Sequence, residues 1–298
     1  MQLLDLFPPN LEREHRSGLD AASRATLHTL RHSPIATYAG ASSTLVCGPA
    51  QSGKTYLLFS YATRLAAQGR DVVFLCPDRD RLRAVLPFLE HVVTAAARDA
   101  SSDSLGVSST TTGDSAAQNA GVAPVTFDQI LKRIHIKYIV TSAKLRCFLA
   151  SAHMTNEPAS VVIVDDYLAF FGDANKTTQT LSHAVAKTSA LLVETCNYLT
   201  STHPAQPTTL LVADSLLRLV LPPPALVELL ERWFPLVVQL GLQSQAQSQS
   251  LPPAAGLTHH SMTVLRVNKH DDPFGTALHF TLSANGLSLA NAAMRSPP

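Results

Sequence analysis

The chain has 298 residues, of which 46% are hydrophobic and 15% are charged, and its formal net charge at pH 7 is +1. A chain of this length and composition buries a substantial core, which excludes a wholly disordered protein. The near-neutral charge argues against a protein that coats nucleic acid through charge alone, although a local basic groove is compatible with it.

Three features bear on the compartment. Residues 1–16 lack a basic stretch followed by a sustained apolar run, so we expect no secretory signal. The four cysteines, Cys47, Cys76, Cys147 and Cys196, form no C-x-x-C pair, and we expect buried, reduced thiols in an intracellular compartment. Charged residues and three consecutive prolines interrupt the most apolar region, residues 210–242, which argues against a membrane span.

Short β-branched runs alternate with longer helical patterns along the chain, an order typical of βαβ units around a mainly parallel sheet. The predicted strands are Ser43 to Cys47, Asp71 to Cys76, His135 to Val140, Ser160 to Val164 and Thr208 to Ala213. The predicted helices are Lys54 to Ala67, a helix from about Asp80, Thr126 to Arg133, Ser142 to His153 and Thr178 to Thr200. Near the end, evenly alternating segments flank the turn signal Asn285-Gly286 and predict an antiparallel extension.

The chain divides into an N-terminal extension, residues 1–40, and one α/β domain, residues 41–298. Two stretches within the domain are rich in small polar residues or in glutamine, serine and proline, namely residues 99–123 and 243–256. Such compositions cannot bury enough apolar surface to fold, so both are predicted to be disordered insertions.

The segment GPAQSGKT, residues 48–55, fits the pattern G-x-x-x-x-G-K-[ST] and lies between a predicted strand and a predicted helix. In such a P-loop the glycines let backbone N–H groups turn toward a phosphate, and the helix N-terminus adds a positive partial charge. Lys54 is expected to reach the β- and γ-phosphates of ATP, and Thr55 to bind Mg²⁺ through its hydroxyl. A chance Gly/Ser turn before a helix is the simpler interpretation, which the full motif disfavours. The predicted nucleotide-binding residues are Gly48, Pro49, Ala50, Gln51, Ser52, Gly53, Lys54, Thr55 and Tyr56.

Two adjacent carboxylates, Asp165 and Asp166, follow the most apolar predicted strand. A P-loop enzyme needs an acid opposite the loop to hold the magnesium shell, and Asp165 is our choice as metal ligand and catalytic residue. Asp166 has two open interpretations: a second catalytic acid, or a structural residue that serves as a helix cap or a surface charge.

The residue that would activate the attacking water is expected just past the strand that follows the P-loop helix. Asp78 stands there, and we assign it this catalytic role beside Lys54 and Asp165. Asp78 also suits the N-cap of the next helix, which is the favoured interpretation and implies slow or absent hydrolysis.

Clustered basic residues fit a nucleic-acid groove, but solvated helix faces are the favoured interpretation. These residues are Arg79, Arg81, Arg83, Lys132, Arg133, His135, Lys137, Lys144 and Arg146.

With these motifs placed, the chain resembles the RecA-family recombinase paralogues, most closely the ATPase subunits that partner SWIM-domain zinc-finger proteins in Shu complexes. The resemblance is carried by CGPAQSGKTYLLFSYA, ILKRIHIKYIVTSAKLRCFLASAH, SVVIVDDYLAFF and LLERWFPLVVQL, which lie between residues 47 and 240. It departs from the family at Asp78, where a glutamate is expected, and at residues 99–123, which have no counterpart.

The resemblance implies a RecA-like P-loop NTPase core with a mainly parallel sheet, helices on its faces and a C-terminal antiparallel extension. It also implies ATP and Mg²⁺ as cofactors and three partners: a SWIM-domain zinc-finger protein, a recombinase or its paralogues, and single-stranded DNA. The implied function is a weak DNA-stimulated ATPase that promotes recombinase filament assembly during homologous recombination in the nucleus. Two alternatives stay open: a P-loop subunit that uses ATP structurally without turnover, and a small-molecule or nucleotide kinase.

Overall fold

The computed structural model describes residues 43–84, 126–154, 159–174, 178–215, 224–242, 258–267, 276–283 and 286–294. The N-terminal extension, residues 1–40, the stretches 99–123 and 243–256, and Asn285 of the predicted turn lie outside the described residues.

The secondary structure follows the predicted alternation. The strands are β1 (Ser43–Cys47), β2 (Val72–Cys76), β3 (Ile134–Tyr138), β4 (Val161–Val164), β5 (Thr209–Asp214), β6 (Leu236–Leu242), β7 (Thr258–Val267), β8 (Thr276–Ser283) and β9 (Gly286–Met294). The α-helices are α1 (Lys54–Ala67), α2 (Phe127–Lys132), α3 (Ser142–Ala150), α4 (Thr178–Thr202) and α5 (Pro224–Trp233). Residues 79–84 are also helical, and 3₁₀ helices span Ala152–Met154 and Tyr167–Ala174.

The strands form one sheet in the order β3-β2-β4-β5-β1-β6-β7-β8-β9. Every pairing among the first six strands is parallel. Strands β7, β8 and β9 then continue the sheet with antiparallel pairings. The predicted α/β class, its mainly parallel sheet and its antiparallel extension are therefore confirmed.

The central strands are continuous apolar runs because helices cover both faces of the sheet. Phe74 of β2 contacts Phe59 of α1, with ring centroids 5.6 Å apart, so α1 covers one face. The neighbouring residues Val73 and Leu75 point the other way, into a cluster with the buried side chains of α3, α4 and α5. Two helical layers thus cover the central parallel strands and leave their carboxyl ends to the connecting loops.

Some boundaries differ from the prediction. The strand expected from His135 to Val140 begins at Ile134 and ends at Tyr138. It ends earlier because the chain then turns into α3. The N-cap of α3 is Thr141, whose side chain accepts a hydrogen bond from the Lys144 N–H. Helix α3 ends at Ala150, with Ser151 as its C-cap, and a 3₁₀ helix follows.

The prediction of four buried thiols is wrong in one case. Cys47, Cys76 and Cys196 are buried, whereas Cys147 is exposed. Cys147 belongs to the outer face of α3, whose buried side chains are Leu145 and Leu149.

No described helix combines the length and the apolar character that a membrane crossing requires.

Candidate functional site

A glycine-rich loop, residues 48–53, joins the carboxyl end of β1 to the first turn of α1. Gln51 and Gly53 have φ angles of 63° and 79°, so the backbone turns through the left-handed region twice. Gly53 is the N-cap of α1, and no side chain caps the helix there. The first N–H groups of α1 therefore lack side-chain acceptors and are suited to an anionic ligand.

The remaining predicted loop residues differ in exposure. Ala50 and Gln51 are exposed, Pro49 and Gly53 are half-buried, and Ser52 is buried. Tyr56 points into the core with 3% of its surface exposed. Tyr56 is thus placed to offer its backbone N–H, not its side chain, to a ligand at the loop.

Lys54 lies inside the loop with only 7% of its surface exposed. Its Nζ donates hydrogen bonds to the carbonyl oxygens of Gly48, at 2.8 Å, and Pro49, at 2.5 Å, and to Oγ of Ser52, at 3.1 Å. Burial lowers the pKa of Lys54, while three nearby carboxylates oppose this effect. The loop consequently holds a cation at its centre.

Gly48 is the point where the loop approaches β6 most closely. A Cβ atom at this position would lie 2.6 Å from the Leu240 carbonyl oxygen. The Gly48 N–H also donates to the Asp214 carbonyl oxygen at 3.2 Å, which ties the loop to β5. A glycine is required here because the neighbouring backbone leaves no space for a side chain.

Thr55 and Asp165, the two predicted magnesium ligands, meet across 110 positions of sequence. Oγ1 of Thr55 donates to Oδ2 of Asp165 at 2.9 Å. Asp165 directly follows β4, is 1% exposed, and donates its own N–H to the Leu75 carbonyl oxygen at 2.9 Å. Burial raises the pKa of its carboxyl to about 6, and the Thr55 hydrogen bond opposes this shift. The pair presents hydroxyl and carboxylate oxygens, the kind of ligand that Mg²⁺ prefers.

Asp166, which had two open interpretations, is an ion-pair partner. Its carboxylate Oδ2 accepts a hydrogen bond from Nη1 of Arg81, on the helical segment 79–84. The Asp166 side chain is 4% exposed, and its backbone has a φ of 51°. Burial raises its pKa and the Arg81 charge opposes the rise. The sequence did not predict this pairing.

Asp214 is a further buried carboxylate that the sequence interpretation missed. It ends β5, between β4 and β1, and is 1% exposed. Its Oδ2 accepts the Leu168 N–H at 2.6 Å, while Oδ1 is buried and has no hydrogen-bond partner among the described residues. Burial raises its pKa to about 7, which the Leu168 N–H and the charge of Lys54 oppose. The sequence does contain a signal for this residue. The segment LLVAD is an apolar run that ends in an aspartate, as is the segment VVIVD that ends in Asp165.

Asp78 caps the helical segment that begins after it. Its Oδ1 accepts the Asp80 N–H at 2.9 Å, and its Oδ2 lies 3.9 Å from Nε of Arg81. The side chain is 52% exposed. This geometry agrees with the favoured helix-cap interpretation, and the catalytic role of Asp78 stays a prediction.

The basic residues are spread over several elements. Arg83 pairs with Asp80 at 3.5 Å and Arg133 with Asp71 at 3.3 Å. Arg79 lies over the ring of Tyr138, with 5.9 Å to its centroid. Arg81, by contrast, pairs with Asp166 at the carboxyl edge of the sheet, and Lys54 lies in the adjacent loop.

Fold and site together define an α/β protein that carries a cation-containing glycine loop opposite a row of buried carboxylates. Within the described ranges, no group of three or more His, Cys, Asp or Glu side chains forms a metal site. The sequence matches no protein-family model, and no curated protein is similar enough to it to count as a relative.

Proposed function

We propose that this protein binds ATP together with Mg²⁺ at the loop of residues 48–55. The observation that carries the proposal is the 2.9 Å hydrogen bond from Thr55 to Asp165, beside a loop that encloses Lys54. Backbone N–H groups of the loop and of Tyr56 would receive the phosphates, and Lys54 would neutralise the β- and γ-phosphates.

The metal would bind where Thr55 now donates to Asp165. A hydroxyl and a buried carboxylate supply a small part of an octahedral shell, and water and phosphate oxygens supply the rest. Bound Mg²⁺ would bridge the phosphates and neutralise charge on the terminal one. The absence of a larger carboxylate cluster among the described residues fits such a shared shell.

The cellular role that we propose is that of an accessory ATPase of homologous recombination. It rests on the resemblance to RecA-family paralogues, and the strand order of the parallel sheet is compatible with a RecA-like core. The protein would bind single-stranded DNA with a SWIM-domain zinc-finger partner in the nucleus and promote assembly of recombinase filaments. Residues 43–242 would form the RecA-like core and β7 to β9 its extension.

The geometry of Asp78 favours a second candidate, a subunit that uses ATP structurally without turnover. Its carboxylate caps a helix through the Asp80 N–H, so one of its oxygens is already engaged in this conformation. A water-activating acid has to reach a water molecule beside the terminal phosphate.

Equilibrium binding of ATP with Mg²⁺ tests the nucleotide site. Lys54→Ala is expected to weaken binding at least about tenfold, because the loop loses its cation. Lys187→Ala, which removes an exposed lysine of α4, is the matched control and should bind as the wild type does. Absence of nucleotide binding in the wild-type protein would overturn the proposal.

Hydrolysis assays then separate the candidates, on the protein alone and co-expressed with its SWIM-domain partner. Turnover that single-stranded DNA stimulates, and that Lys54→Ala abolishes, supports the recombination ATPase. Tight binding without turnover in any of these conditions supports the structural subunit. Phosphate transfer to a nucleoside acceptor would identify a kinase instead.

A further inference from the structure

The ion pair between Arg81 and Asp166 lies beside the candidate magnesium ligands. Asp166 is the chain neighbour of Asp165, which accepts the Thr55 hydroxyl. Arg81 and Lys54 also lie close enough for the charge of Arg81 to lower the pKa of Lys54. Two cations from different elements, Lys54 in the loop and Arg81 after β2, thus face the same carboxyl edge.

The backbone at Asp166 is arranged to hold Arg81. A non-glycine residue with a φ of 51° lies in the left-handed region, which is unfavourable for a residue with a side chain and persists when surrounding contacts fix it. The Asp166 carboxylate is 4% exposed, and the Arg81 guanidinium pairs with it directly and so offsets part of the cost of its burial. Asp166 therefore determines where the Arg81 side chain lies.

Arg81 retains donors for another ligand. Its Nη1 donates to Asp166 and its Nε lies 3.9 Å from Asp78, while Nη2 makes no hydrogen bond to any described residue. The side chain is 31% exposed, so an incoming molecule can reach it. Because a guanidinium has five donors in one plane, it can contact a carboxylate on one side and a phosphate on the other.

We propose that Arg81, oriented by Asp166, contacts the terminal phosphate of a bound nucleoside triphosphate and makes the site select ATP over ADP. This inference rests on the proposed nucleotide site. The terminal phosphate is the part of ATP that ADP lacks, and the Arg81 guanidinium would add a charge-assisted hydrogen bond to it beside Lys54 and the metal. Asp166 acts as a positioning residue, because it reaches the ligand only through Arg81.

The test is the ratio of ATP affinity to ADP affinity, both measured with Mg²⁺ on the full chain. Arg81→Ala is expected to lower the ratio about tenfold or more and to change the ADP affinity by less than about threefold, since ADP lacks the phosphate concerned. Arg81→Lys should not restore the ratio, because a single ammonium cannot contact Asp166 and the phosphate in the same fixed geometry. Arg83→Ala, on the same helical segment but paired with the exposed Asp80, is the matched control and should keep the wild-type ratio.

A second variant protects the test against misfolding, because Arg81→Ala removes an ion-pair partner from a buried carboxylate. The double variant Arg81→Gln with Asp166→Asn removes both charges and should show the same loss of ratio. A double variant with the wild-type ratio would overturn the proposal, as would a wild-type protein that binds ATP and ADP equally. Failure of the wild type to bind either nucleotide would instead contradict the nucleotide site itself.

Discussion

Asp214 and Leu168 link the carboxyl ends of two adjacent strands: the Asp214 carboxylate accepts the Leu168 N–H at 2.6 Å. Leu168 lies in the 3₁₀ helix that follows β4, and Asp214 ends the adjacent β5. The carbonyl oxygen of Asp214 also accepts the Gly48 N–H. One residue therefore connects the glycine loop with the segment that carries Asp165 and Asp166.

Asp214→Asn is expected to change how stability depends on pH. The pKa of Asp214 is raised from 3.8 to about 7 by burial, so the folded state holds a proton that the unfolded state releases. The stability contributed by the neutral carboxyl is present below pH 3.8 and is lost as pH rises to about 7. An asparagine can still accept the Leu168 N–H but does not ionise.

The variant should therefore exceed the wild type in free energy of unfolding by more near pH 8 than near pH 5, with the advantage growing by on the order of 2 kcal/mol between the two pH values. Urea denaturation at the two pH values measures this difference. Asp128→Asn, at an exposed position in α2, is the control and should show no such dependence. A constant difference between Asp214→Asn and the wild type at both pH values would contradict the prediction.

Gly48→Ala is expected to destabilise the fold. The added Cβ would lie 2.6 Å from the Leu240 carbonyl oxygen and 3.0 Å from Oγ of Ser52, and the backbone of β6 cannot move without disturbing its pairing with β1. We expect a loss of about 1 to 3 kcal/mol in the free energy of unfolding, measured by urea denaturation. Gly172→Ala is the control, because no atom lies within 4 Å of its Cβ position. Equal stability of the two variants would show that the loop and β6 are not in close contact.

Substitutions at Asp78 separate its two interpretations. If Asp78 is a helix cap, Asp78→Asn retains the acceptor for the Asp80 N–H and should leave stability and any ATP turnover near the wild-type values. Asp78→Ala should lose about 1 kcal/mol of unfolding free energy. Loss of turnover in Asp78→Asn, with ATP binding intact, would instead support a catalytic acid.

The parts of the fold with a strong local signal were predictable from the sequence. Strand β1 and helix α1 have the predicted bounds, because the glycine motif marks the end of one and the start of the other. Strand β4 was recognisable as a central strand, since an uninterrupted aliphatic run suits burial on both faces. Strand β6 is not among the predicted strands, because a proline precedes it and no turn signal marks its end; its segment was noted only for the resemblance.

The contacts at the carboxyl edge depend on strand order, which local patterns do not encode. Asp214 approaches the loop because β5 lies between β4 and β1, and Arg81 meets Asp166 because β2 lies beside β4. The sequence separates Arg81 from Asp166 by 85 positions, so neither spacing nor periodicity relates them.

The most direct test of the account is the Mg²⁺ dependence of ATP binding in variants of Thr55, whose hydroxyl lies 2.9 Å from Asp165. ATP affinity of the wild type and of Thr55→Ser should rise when Mg²⁺ replaces a chelator, because both keep a hydroxyl for the metal. Thr55→Ala should lose most of this rise while its metal-free affinity stays within about threefold of the wild type. A wild-type protein whose ATP affinity is the same with and without Mg²⁺, or a Thr55→Ala variant with the full rise, would contradict the assignment of this loop as a magnesium-nucleotide site.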